Sequence, residues 1–520
     1  MDNMETSRRD FLKGTMWMGA TAALAGCVSS AAKICAPGAM TSFAVPPIKK
    51  VRVGVVGLGM RGPGAVHRLS SIPGVEVAAL CDLYKTRVDR MQEVVKKNGG
   101  APARSYFIYG GEKESGADES KAWQAMCNSD LDLVYIATPW QLHAKIALYA
   151  MEHGKHAAIE VPAAMNLEEC WALVETAERT GRHCMQLENC CYGSVEMLTL
   201  NLARLGKFGE VMHGEGAYIH DLRELNYLDP AKGGYQDYWR LRWNTKHNGN
   251  IYPTHGLLPI MQVMNINRGD RFDYLTCVAS AQHGMDNYAN VKFGPESWQA
   301  NLHPRHGDMS TTVIRTVKGK TIMVQHDVTS PRPYSRINLV SGTQGILRDY
   351  PLRVALADNP GDGAHSWYRF TKEEAEKVLG RTIEIDAWGG WRININEAEW
   401  LKNEYAIRVS NEYQHPLWKV AGELAQKMGG HGGMDFLMDL RLCYCLQNGL
   451  PLDMDVYDLA ASCSLCELCE RSAENRGASQ DIPDFTRGGW KTAKPLGIET
   501  VDLEKLGIRD VMRDESQLNV

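Results

Sequence analysis

The sequence predicts an α/β fold, in which an N-terminal doubly wound parallel sheet precedes a C-terminal α+β domain with a mainly antiparallel sheet. First, the strand pattern Val51–Val56 runs directly into the glycine-rich turn Gly57–Gly62. Second, strand and helix patterns alternate from there to about residue 189, as they do in parallel sheets. Third, short alternating runs with glycine- and aromatic-rich loops begin after Cys190 and indicate antiparallel strands. The 520 residues, 44% of them hydrophobic, suffice for two or three domains.

Residues 1–40 are predicted to be an export signal and tether. Ser7–Lys13 carries a twin-arginine pattern, and the apolar stretch Gly14–Gly26 after it is too short for a stable bilayer anchor. Leu24–Cys27 resembles a bacterial lipobox, in which Cys27 would be lipidated. These patterns predict folding in the cytoplasm and export by the twin-arginine machinery. They place the protein in the periplasm or cell envelope, with a lipid anchor on Cys27 as its membrane attachment.

The composition argues against several classes of protein. A formal net charge of −5 does not suit a dedicated nucleic-acid binder, which usually has a basic excess. No run of 18 apolar residues occurs, so no transmembrane helix is predicted. The 14 cysteines are far too few for a disulfide scaffold of this length.

The glycine-rich turn predicts a dinucleotide site. Gly57, Gly59 and Gly62 form a complete G-x-G-x-x-G, which supplies a tight turn, close approach of the backbone to a pyrophosphate, and close helix packing. A second strand pattern, Val75–Cys81, ends at Asp82, 20 residues beyond Gly62. An acid there reaches a ribose hydroxyl and repels the 2′-phosphate of NADP, so the pattern favours NAD in a Rossmann domain. A glycine turn in another α/β fold is the alternative.

The alternation continues through residue 189. The expected elements are a strand at Leu131–Ala137, a helix at Gln141–His153, a strand at His156–Glu160, a helix at Asn166–Thr180 and a strand at His183–Glu188. Ligands bind beyond the carboxyl ends of such strands. The predicted domains are therefore 50–189 for the nucleotide, 190–490 for a substrate, and a tail at 491–520.

The second half mixes strands and helices. Alternating runs predict antiparallel strands at Val211–His220, Thr311–Thr316 and Thr321–Val328. Helical patterns return near the C-terminus at Leu417–Lys427, Phe436–Asn448 and Tyr457–Ser472.

Several stretches carry a resemblance to a known family. The turn Gly57–Gly62, Asp82 and the tripeptide Glu160-Val161-Pro162 resemble Gfo/Idh/MocA oxidoreductases. Within that group, the chain is similar to glycoside hydrolase family 109, NAD-dependent enzymes known as α-N-acetylgalactosaminidases. The stretches that carry this second resemblance are Glu188–Gly193, Tyr252–Gly256, Gly429–Phe436 and Pro483–Gly488, within a likeness that covers about residues 50–490. In the wider group the position of Val161 is usually a lysine that touches the substrate hydroxyl, so Val161 counts against a simple dehydrogenase.

The resemblance implies residues for each role. Together with the glycine motif, it assigns NAD contacts to Gly57, Gly59, Met60, Arg61, Gly62, Asp82, Trp140, Gln141, Leu142, His143, Glu160, Val161 and Asn189. It assigns contacts with a carbohydrate substrate to Tyr218, Arg240, Tyr252, Pro253, Thr254, His255 and Tyr334. His255 and Tyr252 are the expected catalytic residues. A tyrosine base needs a lowered pKa, which a neighbouring imidazolium could provide. The alternative is that both side chains merely hydrogen-bond in a core turn.

The mechanism that the resemblance implies involves no net redox change. NAD withdraws hydride from C3 of the sugar, the C2 proton becomes acidic, and the C1 leaving group is expelled by elimination. Water then adds and the hydride returns. Such chemistry needs bases for the C3 hydroxyl and the C2 proton, and usually an acid for the leaving group.

Two other functions are compatible with the sequence. An exported NAD(P)-dependent sugar oxidoreductase fits the same signal and cofactor domain, and a non-catalytic sugar-binding lipoprotein is a third reading. The sequence leaves open the sugar, its linkage and the oligomeric state, a homo-oligomer included. The aromatic-rich segment Tyr235–Trp243 is expected to affect specificity.

Other motifs are interpreted structurally, and no metal site is predicted. Cys463, Cys466 and Cys469 resemble a cluster-binding run, but position 473 is alanine and a buried helical stripe is the better interpretation. His303, His306 and Asp308 are expected in a surface loop. The loop Gly429–Gly433, which contains His431, either lines the cleft or caps the following helix.

Overall fold

The computed structural model describes residues 35–111, 113, 115–357, 359, 366–496 and 498–507. The predicted export signal and Cys27 lie outside these residues. Within the described ranges, no helix is both long enough and apolar enough to cross a membrane.

The first sheet has six parallel strands in the order β3-β2-β1-β4-β5-β6. They are β1 (Val51–Val56), β2 (Val75–Cys81), β3 (Arg104–Tyr106), β4 (Leu133–Ile136), β5 (His156–Ile159) and β6 (Cys184–Gln186). Strand β1 is fully or mostly buried on both faces, which explains its continuous apolar sequence. The strand order reverses between β1 and β4, and this confirms the predicted doubly wound Rossmann arrangement, whose ligand site lies at that reversal.

Five helices flank this sheet: α1 (Gly62–Leu69), α2 (Lys85–Lys97), α3 (Ser120–Cys127), α4 (Trp140–Glu152) and α5 (Leu167–Thr180). Helix α5 begins with a side-chain cap from Asn166. The Asn166 side chain accepts the Glu169 N–H at 2.8 Å. The Glu169 carboxylate accepts the N–H of Met165 at 2.8 Å, one residue before the position of a capping box.

The second sheet has eight strands in the order β13-β12-β11-β7-β10-β9-β8-β14. They are β7 (Val211–Ile219), β8 (Phe272–Ala279), β9 (Ser310–Thr316), β10 (Thr321–Asp327), β11 (Leu339–Gly342), β12 (Gly345–Arg348), β13 (Arg353–Leu356) and β14 (Gln480–Asp481). Only the β7–β10 pair is parallel, so the predicted mainly antiparallel sheet is confirmed.

The helices between and after these strands complete the fold. They are α6 (Ser194–Arg204), α7 (Arg223–Tyr227), α8 (Trp239–Lys246), α9 (Thr254–Met264), α10 (Gly284–Phe293), α11 (Lys372–Leu379), α12 (Ile395–Tyr413), α13 (Pro416–Met428), α14 (Met434–Asn448) and α15 (Val456–Glu474). Helix α9 packs against β7 and brings the Tyr252–His255 stretch to the carboxyl end of that strand.

Helices α14 and α15 return to the first sheet. Helix α14 packs against α1, where the buried Arg68 donates from Nε to Asp439 Oδ2 at 2.7 Å. Helix α15 packs against α5, and the Cys463 thiol lies 2.9 Å from Gln186 Oε1 at the end of β6. The last helices of the chain therefore complete the core around the first sheet.

The cysteine stripe is buried as predicted, whereas part of the histidine loop does not lie at the surface. Cys463, Cys466 and Cys469 are buried along α15, as the structural interpretation predicted. His303 is exposed, but the expectation of a surface loop is wrong for His306, which is 1% exposed with its Nε2 3.2 Å from Nδ1 of His326. The loop folds inward here because it packs against the end of β10.

Candidate active site

A cavity of about 630 Å³ opens at the carboxyl edge of the first sheet. Many of the residues assigned by sequence line it: Gly57, Gly59, Met60, Arg61, Asp82, Trp140, His143, Glu160, Val161, Asn189, Tyr218, Arg240, Tyr252 and His255. One wall comes from the strand ends of the first sheet, and the other comes from β7, α8 and the start of α9. The cavity therefore brings the predicted nucleotide and sugar residues together.

The glycine turn has the geometry of a phosphate cradle. Gly57 has a φ of +91°, and a Cβ there would lie 2.5 Å from the carbonyl oxygen of Ala137. A Cβ on Gly62 would lie 1.9 Å from the Gly57 carbonyl oxygen. A Cβ on Gly59 would meet nothing closer than the Arg87 side chain at 3.9 Å, so the open space above this residue is available to a ligand. The residues thus fit a dinucleotide pyrophosphate.

Asp82 is held beside this turn. Its Oδ2 accepts the Leu58 N–H at 2.8 Å, and its Oδ1 accepts the Tyr84 N–H at 3.1 Å. Arg87 lies 3.4 Å from Oδ1 and also donates to Gln236 at 2.7 Å. The carboxylate is therefore oriented before any ligand binds, and the nearby guanidinium is already engaged. Both features suit a ribose hydroxyl better than a 2′-phosphate.

An ionic network connects the turn to α14. Arg61 donates to Glu160 at 2.9 Å and to Asp435 at 3.0 Å. Asp435 also accepts from Asn189 at 2.5 Å, and its Oδ2 lies 3.0 Å from Nδ1 of His431. Burial alone would raise the pKa of Asp435, but the neighbouring His431 and Arg61 hold it well below its ordinary value. His431 itself lines the cavity, which favours the cleft interpretation of the glycine loop.

His255 and Glu188 form a buried hydrogen-bonded pair. Nδ1 of His255 lies 2.6 Å from Oε1 of Glu188, whose side chain is 0% exposed. The same oxygen accepts the Cys190 N–H at 3.1 Å. Burial alone would raise the pKa of Glu188, but His255 lowers it below its ordinary value. Because the Glu188 carboxylate accepts from Nδ1, the proton is assigned to Nδ1, and Nε2 is the ring nitrogen left for other contacts.

Tyr252 and Arg240 lie beside this pair. The Tyr252 hydroxyl is 3.5 Å from Nε2 of His255. Burial, reinforced by Tyr218, raises the pKa of Tyr252 well above its ordinary value. The structure thus does not show the lowered pKa that a tyrosine base requires, and Tyr252 is placed to donate a hydrogen bond. The Arg240 guanidinium lies 5.0 Å from the ring centroids of both Tyr252 and Trp140.

His220 is a site residue that the sequence reasoning missed. Its Nδ1 lies 2.9 Å from the Tyr218 hydroxyl, and it lines the same cavity. Burial lowers the pKa of His220, and the nearby Arg240 lowers it further. A signal was available, because residues two apart in a strand share a face, and Tyr218 lies on β7 two positions earlier.

Some assigned residues do not line the cavity. Pro253 and Thr254 are buried at the start of α9, and Gln141 is exposed on the first turn of α4, beside a partly buried Leu142. Tyr334 also lies outside the lining, although its ring is 5.0 Å from that of His220, which lines the cavity. Their assigned ligand contacts stay predictions.

Three of these groups have spacing that could suit a metal. Ligand atoms of Glu188, Cys190 and His255 lie within 4.8 Å of one another. The histidine and carboxylate already satisfy each other, however, and burial raises the pKa of the Cys190 thiol well above its ordinary value. A protonated thiol is a poor metal ligand, so the arrangement fits a proton-transfer pair better.

Family models match most of the chain. A model described as "Oxidoreductase family, NAD-binding Rossmann fold" matches residues 51–187. One described as "Glycosyl hydrolase 109, C-terminal domain" matches residues 192–379 and 391–492.

Named relatives are similar over nearly their whole length. A glycosyl hydrolase family 109 protein of Shewanella amazonensis is 43% identical over 500 residues, which is 94% of this chain and 98% of the relative. One of Porphyromonas gingivalis is 45% identical over 450 residues, covering 86% and 87% of the two chains.

Solved structures share the fold at low identity. A levoglucosan dehydrogenase in complex with NADH and levoglucosan has a TM-score of 0.55 at 17% identity, over 84% of this chain and 100% of that one. An oxidoreductase domain protein from Kribbella flavida has a TM-score of 0.54 at 15% identity, with the same coverage. The glycine cradle, the shared architecture and the relatives agree: this chain is an NAD-dependent member of glycoside hydrolase family 109, an enzyme that acts on sugars.

Proposed function

We propose that the protein is an exported glycosidase that releases terminal α-linked N-acetylgalactosamine, or a related sugar, with no net redox change. The observation that carries the proposal is the buried His255–Glu188 pair in the same cavity as the glycine turn and Asp82. A proton-transfer pair opposite a dinucleotide site suits a reaction in which the sugar is oxidised transiently and reduced again before release. The names of the family 109 relatives support the glycosidase assignment.

The cofactor supplies one part of the chemistry. Bound NAD would take a hydride from C3 of the sugar and return it after the glycosidic bond is broken. On the protein side, the Gly57–Gly62 turn would hold the pyrophosphate and Asp82 the ribose, while Arg61 and Glu160 order the adjacent strand end.

His255 is the proposed base. Its Nε2, which lies 3.5 Å from the Tyr252 hydroxyl, would take the proton, and the Glu188 carboxylate would stabilise the imidazolium that forms. A ketone at C3 makes the proton on C2 acidic. Removal of this proton creates negative charge on the sugar next to C2. Arg240, a buried cation among aromatic rings, is placed to stabilise this charge. The Tyr252 hydroxyl, which stays protonated, lies beside Arg240 and acts as a hydrogen-bond donor.

An exported sugar oxidoreductase is the competing function. The dehydrogenase fold of the solved neighbours is compatible with it, but Val161 stands where that group usually has a substrate-binding lysine. The two functions differ in their products: a net oxidoreductase yields oxidised sugar and a matching amount of NADH.

Turnover in D₂O tests the mechanism. Because the C2 proton leaves as a proton, deuterium should appear at C2 of the released sugar, while C3 keeps its own hydrogen and no NADH accumulates. Proton NMR of the product reads both positions. Hydrolysis with an unlabelled C2 would contradict the elimination mechanism, and stoichiometric NADH would establish the oxidoreductase instead.

The export proposal concerns residues outside the described ranges. We expect replacement of Arg8 and Arg9 by lysine to keep the protein in the cytoplasm, and Cys27→Ala to release it from the membrane fraction. Cell fractionation with immunoblotting measures both. A wild-type protein that stays in the cytoplasm would exclude this location.

A further inference from the structure

A second pocket lies beside the active-site cavity. It has a volume of about 240 Å³ and shares one lining residue, His431, with the cavity. Its other polar lining groups include Arg336, Asp349 and Gln426, and the indole of Trp418 contributes an aromatic surface. Neither the sequence motifs nor the proposed chemistry uses these groups.

Tyr334 contacts a lining residue of each space. The Tyr334 ring lies 5.0 Å from that of His220 on the cavity side. Its hydroxyl accepts from Arg336 Nη1 at 3.1 Å on the side of the second pocket. Tyr334 is 37% exposed, so its side chain is accessible from solvent beside both spaces.

The polar groups of the pocket are held in place by the protein. Arg336 donates to the buried carboxylate of Glu196 from Nε at 2.8 Å and approaches it from Nη2 at 2.7 Å. Trp418 donates its indole N–H to the carbonyl of Tyr192 at 2.9 Å. Asp349 Oδ1 accepts the Tyr350 N–H at 2.7 Å, and Oδ2 has no hydrogen bond to a described residue. The groups are therefore preorganised, with acceptor capacity left over.

We propose that this pocket binds the sugar unit on the leaving-group side of the scissile bond. A carboxylate, an amide and a guanidinium next to an aromatic ring can bind the hydroxyls and the apolar face of a pyranose. The pocket and the cavity share His431, so a glycan whose terminal sugar occupies the cavity can extend into the pocket. This inference rests on the proposed function, and it adds that the natural substrate is an oligosaccharide whose second unit is recognised.

Two substitutions test the pocket without touching the cavity. Asp349→Asn keeps the oxygen that accepts the Tyr350 N–H, and Gln426→Ala removes an exposed amide on α13. Glu423→Ala, also exposed on α13, is the matched control. Each variant is assayed with a 4-nitrophenyl glycoside and with a disaccharide that carries the same terminal sugar.

The expected result is a loss confined to the disaccharide. We expect kcat/KM for the disaccharide to fall about tenfold, or about 1.4 kcal/mol, mainly through KM. The nitrophenyl glycoside should be hydrolysed within twofold of the wild-type rate, and Glu423→Ala should change neither reaction. Equal losses on both substrates, or no loss on either, would overturn the proposal.

The assay separates this inference from the function on which it rests. If the wild-type protein hydrolyses neither substrate, the proposed function fails and the pocket assignment fails with it. If the wild-type protein hydrolyses both and the variants show no selectivity between them, only the pocket assignment is wrong.

Discussion

The two walls of the cavity are built in different ways. The wall at the strand ends of the first sheet, which we call the nucleotide wall, is centred on the backbone geometry of one short turn, where Gly57 and Gly62 permit a conformation that a Cβ would block. The opposite wall, from β7, α8 and the start of α9, we call the sugar wall. Its His255 pairs with Glu188 beyond the end of β6, and the two meet only after the two sheets have packed together. A local motif therefore specifies the first wall, whereas tertiary packing creates the second.

This difference predicts how each wall responds to substitution. On the sugar wall, loss of one side chain removes a chemical step while the fold survives. On the nucleotide wall, loss of one group changes which nucleotide is held and how tightly. The following predictions test this distinction, from the largest expected effect to the smallest.

The largest effect is expected at the buried pair. His255→Ala should lower kcat by roughly 10²–10⁴-fold, the usual contribution of a general acid–base group, and Glu188→Gln should also lower it. Steady-state kinetics with a chromogenic glycoside measures this, with circular dichroism to verify folding. His213→Ala, near the opposite end of β7, should leave kcat unchanged. A His255 variant with activity within a few-fold of wild type would end the assignment.

Asp82 should control the nucleotide. Protein purified without added nucleotide should release NAD on denaturation, and Asp82→Ala should lower the retained NAD roughly tenfold or more, because a hydrogen bond to a charged group is lost. Chromatography of the denatured supernatant measures nucleotide content without an activity assay. The prediction fails if NADP is the nucleotide found, or if the variant retains NAD in full.

Tyr252→Phe should have a smaller effect, a roughly tenfold fall in kcat from one lost hydrogen bond. Because burial raises the pKa of Tyr252, its hydroxyl stays protonated throughout the working pH range and does not titrate there. The pH profiles of kcat for wild type and variant should therefore have the same shape. If the variant loses an alkaline limb between pH 6 and 9, the tyrosine is titrating as a base after all.

The smallest effect on activity is expected for the buried cysteines of α15, which do not line the cavity. Cys466→Ala should lower the free energy of unfolding by about 1 kcal/mol through lost packing and leave kcat unchanged. Denaturant titration and kinetics measure the two quantities. Iron that is bound by the wild-type protein and lost from this variant would support the cluster interpretation instead.

The sequence predicted the nucleotide wall in some detail because its information is local. The glycine spacing, Asp82 and the alternation of strands and helices each depend on neighbouring positions. His220 could also have been found, since the predicted strand Val211–His220 puts it on the same face as Tyr218. The pairing of Glu188 with His255 could not be derived in this way, because 67 positions separate them and nothing local relates their orientations.

The inward fold of His306 was unpredictable for a similar reason. Pro304, Arg305 and Gly307 give the segment a surface-loop composition, but its burial depends on contact with β10. The return of α14 and α15 to the first sheet likewise depends on packing partners near the other end of the chain, such as Arg68.

That return has a consequence for biosynthesis. A ribosome makes the six strands of the first sheet early, but α14 and α15 emerge among the last segments of the chain. Until then Arg68 lacks its carboxylate partner and the first sheet lacks part of its cover. Domains usually fold in the order of their synthesis. The nucleotide half therefore completes its packing only after α14 and α15 have been synthesised, and we expect NAD to be held firmly only from that stage onward.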